Sequence, residues 1–399
     1  MQKRFTPDEG GVFPEWEEVE FGKLFQRRSE KNGEEFGVDK TISVATMHFK
    51  PEGNKAAEES LPKYKVMRTG DIAFEGHINK HFKHGRFVLN DIGDGIVSPI
   101  FEVLQPVSEL SKEVPEFWKY YINYEPVMGK ILAKCANTGI MMNRLAIKDF
   151  YKQKIKVPCV EEQRKIAAAL AAYDEIIAVK TAKLETWQEC KKRMVKEIFG
   201  KTKRFKNDDG KEFPEWEEKT LREVAEINPV SAESLPEVFY YMDLGSIDSG
   251  IWTEKRLINK KSAPSRAQRI AQQDDVFFQS VRPLNKDHYH YAKKADKSVV
   301  ASTGFIQLRM KNGSNAFLYQ LLYEDNFNKE VKKYMTGSNY PAINTTSLSK
   351  IKIMIPCMAE QQKIGNFLAE IDKEIQIQKE FVKTYAEGKR RMMRELMEE

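Results

Sequence analysis

Apolar residues recur at alternating four- and three-residue steps in two stretches of the chain, residues 166–198 and 364–396. An apolar period of 3.5 residues, held over about five heptads, predicts a long helix with a coiled-coil seam. The first seam consists of Ile166, Leu170, Tyr173, Ile177, Leu184, Trp187, Met194 and Ile198. The second consists of Ile364, Leu368, Ile371, Ile375, Val382, Tyr385, Met392 and Leu396. The remaining seam slots are polar and hold Lys180, Lys191, Gln378 and Lys389.

The residues around these helices predict where the helices begin and end. Pro158 and Pro356 precede them and end the strands that we predict at Lys154–Val157 and Lys350–Ile355. Gly200 is the predicted C′ residue of the first helix. At 1.5 Å per residue, each helix would be roughly 55–60 Å long. Each helix could pack on its own domain, but the matched seams favour pairing of the two helices, in the antiparallel direction.

The chain is a tandem duplication. Phe-Pro-Glu-Trp-Glu-Glu occurs at residues 13–18 and again at 213–218, and the segment that begins at Pro158 returns without a gap at Pro356. One repeat period near 200 residues indicates two domains rather than a solenoid. We therefore predict a first variable domain at 1–157, a first helix at 158–200, a linker with a second variable domain at 201–355, and a second helix at 356–399.

The two variable stretches predict a mixed α/β fold with short strands between Gly, Pro and Asn turns. One amphipathic helix is predicted in each, at Glu116–Tyr124 and at Ala316–Tyr323, the latter with a possible extension to Tyr334. The predicted strands are Thr41–Met47, Asp71–Phe74, Arg86–Leu89, Ile96–Phe101, Tyr240–Leu244, Val276–Phe278, Ser298–Ala301 and Phe305–Met310.

Composition narrows the class of protein. Of 399 residues, 41% are hydrophobic and 31% charged, which is typical of a folded chain, and the net charge of +6 permits but does not prove polyanion binding. No apolar run approaches the ~20 residues of a membrane span, and the amino terminus has no signal-peptide core. The four cysteines form no C-x-x-C pair. We therefore expect a cytoplasmic protein without a membrane segment.

Motifs for catalysis are missing from the sequence. It contains no G-x-x-x-x-G-K-[ST] phosphate loop, no G-x-G-x-x-G after a strand, no H-E-x-x-H, no G-x-S-x-G and no Asn-Pro-Pro-Tyr-like methyltransferase motif. His77, His81 and His84 have a spacing that could hold zinc on a helix, but no fourth ligand is evident. We therefore predict no catalytic residue and no metal site.

Loops in each variable stretch combine cations, amides and aromatics, the groups that contact phosphates and base edges. The main loop of each stretch follows an acidic turn and an apolar strand. The candidate DNA-binding residues of the first stretch are His77, Asn79, Lys80, His81, Lys83, His84, Arg86, Asn143 and Arg144. Those of the second are Ser265, Arg266, Arg269, Gln279, Ser280, Arg282, Asn285, Lys286, His288, Ser338, Asn339 and Tyr340. For each of them, ordinary solvation at the surface is the alternative.

The whole chain resembles the specificity subunits of type I restriction–modification systems, in which two variable target-recognition domains alternate with two similar helical regions. Val157-Pro-Cys-Val-Glu-Glu-Gln163 carries the resemblance in the first half. In the second half it rests on Tyr241-Met-Asp-Leu-Gly-Ser246, Pro264-Ser-Arg-Ala-Gln-Arg269, Ser280-Val-Arg-Pro283, Ser302-Thr-Gly-Phe305, Gly337-Ser-Asn-Tyr-Pro-Ala-Ile-Asn344 and Ile355-Pro-Cys-Met-Ala-Glu-Gln-Gln362.

The resemblance implies a non-catalytic subunit that recognises double-stranded DNA. Each variable domain would read one half of a bipartite site in the major groove, and the antiparallel helices would set the spacer between the halves. Two modification (methyltransferase) subunits would dock on the helices, and restriction (motor and nuclease) subunits would join them. S-adenosylmethionine, ATP and Mg would be bound by those partner subunits and not by this chain.

Two other classes of function stay open at this point. The chain could be a coiled-coil scaffold whose domains bind protein and not DNA. It could also be a DNA-modifying enzyme in its own right, although no motif supports that. The target bases, the spacer length and the half-site that each domain reads do not follow from the sequence, because base readout depends on loop geometry and DNA shape.

Overall fold

The computed structural model describes residues 4–50, 52, 58–139, 142–231 and 234–397. The chain divides into two units, one formed by Met1–Val179 with Phe381–Glu399 and the other by Lys180–Glu380. Each of the two long helices therefore contributes one part to each unit. The mixed α/β fold class predicted from the sequence is confirmed.

The helices of the described residues are α1 (Phe21–Leu24), α2 (Glu109–Lys112), α3 (Pro115–Tyr121), α4 (Glu125–Cys135), α5 (Ile147–Lys152), α6 (Val160–Phe199), α7 (Leu221–Val224), α8 (Asn315–Leu321), α9 (Asp325–Tyr334), α10 (Thr345–Ser349) and α11 (Met358–Met397). Short 3-10 turns occur at Val38–Lys40, Glu58–Lys63, Leu244–Ser246, Lys260–Ser262 and Pro283–Asn285.

The first-unit strands are β1 (Glu17–Glu20), β2 (Phe25–Arg27), β3 (Ile42–Ser43), β4 (His48–Phe49), β5 (Lys65–Met67), β6 (Ile72–Glu75), β7 (Arg86–Leu89), β8 (Gly95–Val97), β9 (Glu102–Pro106), β10 (Ala136–Asn137), β11 (Arg144–Leu145) and β12 (Lys154–Val157). The second-unit strands are β13 (Glu217–Thr220), β14 (Ala225–Ile227), β15 (Val238–Met242), β16 (Ile247–Asp248), β17 (Ile251–Trp252), β18 (Arg256–Asn259), β19 (Ala267–Ile270), β20 (Val276–Gln279), β21 (Tyr289–His290), β22 (Val299–Ser302), β23 (Phe305–Met310) and β24 (Lys352–Ile355).

Each unit contains a four-stranded antiparallel sheet of the same plan. Its strand order is β2-β9-β6-β7 in the first unit and β14-β23-β20-β21 in the second. The second unit has another four-stranded sheet, β18-β15-β22-β19, in which β15 and β22 run parallel. A helix of each domain packs on the antiparallel sheet of its own unit. Phe117 and Trp118 of α3 lie in the core of the first unit, and Phe317 of α8 lies in the core of the second.

The repeated hexapeptide ties the start of each domain to the start of its long helix. It leads into β1 and β13, which pair antiparallel with β12 and β24, the strands just before α6 and α11. The Trp16 indole N–H donates to Glu162 over 3.1 Å, and Trp216 donates to Glu360 over the same distance. Both carboxylates are buried, so the repeated hexapeptide makes the same buried hydrogen bond in both units. We call this contact between the tryptophan and the glutamate the anchor.

In the first unit, the beginning of α6 packs against the end of α11 in opposite directions. The rings of Tyr173 and Tyr385 lie 6.3 Å apart, and Lys389 Nζ lies 2.6 Å from an Asp174 carboxylate oxygen. Ile166 shares its buried cluster with Leu396. The same cluster contains the domain core of this unit, so the two arrangements considered for the helix, packing on its own domain and pairing with the other helix, occur together.

In the second unit, the end of α6 packs against the beginning of α11 in the same way. Lys191 Nζ lies 2.5 Å from an Asp372 carboxylate oxygen, and Trp187 packs against the cluster that contains Ile371 and Ile375. The polar seam residues Lys191 and Lys389 are thus the lysines of two equivalent ion pairs.

Most of the predicted seam residues lie in these two clusters or pack against them, and Tyr173 and Tyr385 contact each other. All fourteen predicted helix-pairing residues are buried or half-buried, namely Ile166, Leu170, Tyr173, Ile177, Leu184, Trp187, Met194, Ile364, Leu368, Ile371, Ile375, Val382, Tyr385 and Met392.

Only Ile42 and Ser43 of the predicted strand Thr41–Met47 form a strand, β3, and a turn follows them. Of the predicted strand Ile96–Phe101, only the first two residues belong to β8. The helix predicted at Ala316–Tyr323 is α8, which ends at Leu321, and the extension to Tyr334 is the separate helix α9.

Two further local predictions need correction. The single helix predicted at Glu116–Tyr124 is α3, which ends at Tyr121, and the separate helix α4 follows it, with Pro126 in its first turn. Gly200 is not the left-handed C′ residue, because Lys201 takes that conformation with φ 58°. Thr202 N–H then donates to the carbonyl of Glu197, closing a Schellman motif in which the lysine stands at the position that usually favours glycine.

Candidate nucleic-acid interface

In both units, the loop that follows a buried central strand meets a second polar loop at one backbone hydrogen bond. In the first unit, Asn143 N–H donates to the carbonyl of Gly76, which follows β6, over 2.9 Å. In the second, Ile343 N–H donates to the carbonyl of Ser280, which follows β20, over 3.0 Å. In each unit, the structure thus joins two segments that carry or adjoin candidate residues and lie more than sixty positions apart in sequence. Residues 140 and 141 lie outside the described part.

The turn Ser280–Lys286 of the second unit has an unusual backbone. Arg282 and Lys286 both have positive φ, 52° and 60°, on either side of a 3-10 turn. A left-handed conformation is uncommon for residues other than glycine, and such strain concentrates at functional sites. Arg282 N–H donates to the carbonyl of Pro341 over 2.7 Å, which fixes this conformation against the second loop.

The Arg282 side chain is exposed and lies over the ring of Tyr340, with Cζ 4.5 Å from the ring centroid. Tyr340 is itself 68% exposed, far more than a tyrosine of the core. Ser338 and Asn339 are exposed on the same loop, which reciprocal backbone hydrogen bonds between Thr336 and Ala342 close. The stacked cation, the ring and the two polar side chains form one outward-facing surface.

Three candidates of the second unit are buried and hold this loop in place. Gln279 Oε1 accepts a hydrogen bond from Asp287 N–H, and Ser280 Oγ donates to the carbonyl of Gly304. His288 accepts from Gln279 N–H through Nδ1 and stacks on Phe278. Burial, assisted by the charge of Lys286, lowers the pKa of His288 to about 3, so its ring is neutral at physiological pH. In this conformation none of the three side chains is presented to a ligand.

Of the other second-unit candidates, three are exposed and two are half-buried. Ser265, Arg266 and Asn285 are exposed. Arg269 lies on β19 after a β-bulge, its Nε has no hydrogen-bond partner among the described residues, and burial lowers its pKa. Lys286 is half-buried and donates from Nζ to the carbonyl of Tyr323.

In the first unit, the loop between β6 and β7 exposes most of its candidates. His77, Asn79, Lys80, His81 and Lys83 are exposed and His84 is half-buried. Asn79 Oδ1 accepts hydrogen bonds from the N–H groups of His81 and Phe82, which folds the loop into a compact turn and not a helix. The helical spacing that zinc would need is therefore not present, and no group of three or more potential metal-ligating side chains occurs among the described residues.

Arg86 and Asn143 support this loop from behind. Arg86 Nε donates to Glu75 over 2.8 Å, another of its guanidinium nitrogens donates to the carbonyl of Ala45, and its guanidinium packs on Phe82. The Asn143 side chain is buried, and a Cβ at Gly76 would lie 2.0 Å from the Asn143 carbonyl oxygen, so only glycine fits there. Arg144 is exposed on β11.

A polar contact between each domain and the helix pair was not predicted. Tyr120 of α3 donates its hydroxyl proton to Asp174 over 2.7 Å, and Gln320 of α8 donates from Nε2 to Asp372 over 2.7 Å. These are the aspartates that pair with the seam lysines. The available signal was the repeat itself, since Asp174 and Asp372 occupy equivalent positions.

Comparison with known proteins gives a consistent picture. Residues 15–186 and 214–383 match the family model described as the type I restriction modification DNA specificity domain. The putative type I restriction enzyme MjaX specificity subunit of Methanocaldococcus jannaschii is 24% identical, over 99% of this chain and 96% of that protein. The MjaVIII specificity subunit of the same organism is 25% identical over 69% of each chain.

Solved structures share the fold. The S subunit of a type I restriction-modification system from M. genitalium superposes with a TM-score of 0.63 at 16% identity, over 99% of this chain and 100% of that chain. A chain from a structure on complex assembly and conformational transition of the type I R-M system has a TM-score of 0.50 at 19% identity, over 97% and 98%. Among the described residues, no helix is long and apolar enough to cross a membrane.

Proposed function

Because this chain belongs to the family of type I restriction–modification specificity subunits, we propose that each of its variable domains reads one half of a bipartite DNA site in the major groove. The observation that carries this proposal is the arrangement found in both units, where two polar loops are joined behind an exposed surface of cations and amides. Arginine and asparagine side chains at such a surface can bind guanine and adenine edges bidentately.

The helix pair would set the spacer between the two half-sites and dock two modification subunits, to which restriction subunits bind in turn. A helix of 40 residues, the length of α6 and of α11, is about 60 Å long, enough to reach half-sites one DNA turn or ~34 Å apart. Mapping methylated adenines in the genome of a strain that carries this system would give the two half-sites and the spacer directly.

The chemistry would belong to the partners. S-adenosylmethionine, ATP and Mg would be bound by the modification and restriction subunits, and this chain would contribute recognition only. The support is the sequence, which has neither a phosphate loop nor a methyltransferase motif. Transfer of a methyl group to DNA by the purified chain alone would contradict this assignment.

We expect DNA binding by the chain to depend steeply on salt. A protein that neutralises several phosphates releases their counterions, so its affinity should fall by ~10³-fold or more between 50 and 200 mM salt if about six phosphates are contacted. Fluorescence anisotropy with a labelled duplex measures this slope. A coiled-coil scaffold whose domains bind protein would show no such binding.

Replacing Arg282 by alanine should weaken binding at the second half-site and leave the sequence preference at the first half-site intact. Loss of a bidentate contact to guanine costs about 1–3 kcal/mol, or roughly 5- to 150-fold in affinity. Binding assays on duplexes with each half-site scrambled in turn would separate the two effects. Arg222→Ala, another exposed arginine of the same unit, is the control. Equal loss at both half-sites would argue against independent readers.

A further inference from the structure

A cleft of about 1000 Å³ lies within the second unit, between the domain helices α8 and α9 and the portions of α6 and α11 that belong to this unit. Tyr319 and Tyr323 line it, with their hydroxyl oxygens 2.9 Å apart. The ammonium group of Lys191 lies 4.5 Å from the centroid of the Tyr323 ring. The cleft follows about three turns of each long helix, from Gln188 on α6 and from Ala369 on α11, so its shape suits an extended segment.

The cleft is positively charged. Eight lysine and arginine residues line it against four aspartate and glutamate residues. Two of the carboxylates are engaged, since Asp372 pairs with Lys191 and Glu324 accepts the first N–H groups of α9. By contrast, Lys192 and Lys196 of α6 and Lys379 of α11 have no ion-pair partner in the part of the chain that is described.

A buried amide in this cleft also lacks a partner. Gln320 lines the cleft, is only 1% exposed and donates from Nε2 to Asp372, but its Oε1 has no hydrogen-bond partner among the described residues. Leaving a buried acceptor unsatisfied costs about 1–3 kcal/mol, so a hydrogen-bond donor bound in the cleft would stabilise this oxygen. In the first unit the equivalent residue is Tyr120. Its hydroxyl donates to Asp174 in the same way, but a tyrosine has no second polar atom that would need a partner.

The two requirements together select the occupant. Unpaired lysines favour an anion, and Gln320 Oε1 requires a hydrogen-bond donor. The DNA backbone supplies anionic oxygens but no N–H groups, whereas a peptide with acidic side chains supplies both carboxylates and backbone N–H donors.

We propose that this cleft binds an acidic peptide segment of a modification subunit. The proposal rests on the proposed function in one respect, the docking of that subunit on the helices. It adds a specific site, since the segment would lie between the helix pair and the second variable domain and contact both.

The test measures the affinity of this chain for the purified modification subunit encoded with it. It compares two variants, in each of which three lysines are replaced by glutamate. Lys192→Glu/Lys196→Glu/Lys379→Glu should weaken binding about thirtyfold or more at low ionic strength, since close interfacial charge pairs carry large coupling energies. Lys293→Glu/Lys294→Glu/Lys297→Glu changes the same net charge at exposed positions of the same unit and should change binding less than about threefold.

A second measurement does not depend on the stability of the charge variants. A photo-crosslinking amino acid at position 196 should attach to a stretch of the modification subunit rich in Asp and Glu, and the crosslink should disappear at high salt.

Each contrary result has its own meaning. If the wild-type chain binds the subunit but the cleft variant binds equally well, or if the crosslink maps to a neutral or basic stretch, the cleft proposal is wrong and docking on the helices stands. If the cleft variant loses only DNA binding by the chain alone, DNA is the occupant. If the wild-type chain does not bind the subunit at all, the proposed function fails at the docking step.

Discussion

Replacing Glu360 by alanine should destabilise the second unit by about 3 kcal/mol, because the change removes the buried partner of the Arg204 guanidinium and leaves the buried indole N–H of Trp216 without its acceptor. The Glu360 side chain is 0% exposed and accepts hydrogen bonds from the guanidinium of Arg204 and from the indole of Trp216. Native-state hydrogen exchange at the amides of β13 and β24 would measure the loss. These strands close the unit at this anchor, and exchange does not require the whole chain to unfold in one step.

A matched control uses the same arginine. Arg204 also pairs with Glu215 over 2.9 Å, but the Glu215 side chain is 82% exposed, so Glu215→Ala should cost less than about 1 kcal/mol. The first unit offers the same comparison, with Arg4 between buried Glu162 and Glu15, which is 97% exposed. Equal effects of the buried and exposed substitutions would show that the hexapeptide is not an anchor.

The elements with a strong local pattern could be predicted from the sequence. The long helices follow from their apolar period, and the strands at Arg86–Leu89 and Phe305–Met310 have the predicted bounds. Elements of two or three residues, such as β3 and β4, carry too little pattern to be placed. The boundary between α3 and α4 was missed because apolar residues continue through Ile122 to Tyr124, and the break comes from packing and from Pro126.

The sequence shows which residue types the candidate loops contain, but not the orientation of their side chains. Gln279, Ser280 and His288 belong to the predicted loop and yet are buried. Their burial depends on the second loop, which closes over Ser280 from more than fifty residues away, and local sequence carries no signal for such a contact. Arg282 and Tyr340 were both candidates, but their stacking follows only from that closure.

The polar residues of the helix seam show the same limit. The period identifies Lys191 and Lys389 as interruptions of an apolar stripe, and the duplication shows that they are equivalent. Neither pattern gives their partners, because Asp174 and Asp372 lie on the opposite helix in each unit. Once the pairs are known, each ion pair gives the register of the two helices within its own unit.

Insertion of one heptad after Lys180 and another after Gln378 should lengthen the spacer of the recognised site. Each insertion adds about 10 Å of helix, which corresponds to roughly three base pairs of DNA. A heptad keeps the apolar stripe on the same face of each helix, and both ion pairs, Asp174–Lys389 and Lys191–Asp372, lie outside the inserted segments. Mapping of adenine methylation by the assembled variant would give the new spacer. The half-site sequences should not change, because no recognition loop is altered.

A heptad in only one helix is the informative control. The two ion-pairing residues would then be 17 positions apart on one helix and 24 positions apart on the other. Because of this difference of seven residues, both ion pairs could not form in one register of the helices. We expect the single insertion to lose methylation at any spacer and to destabilise the helix pair, whereas the double insertion stays folded. If the double insertion methylated the original site with its original spacer, the helices would not set the distance between the readers, and another element would have to do so.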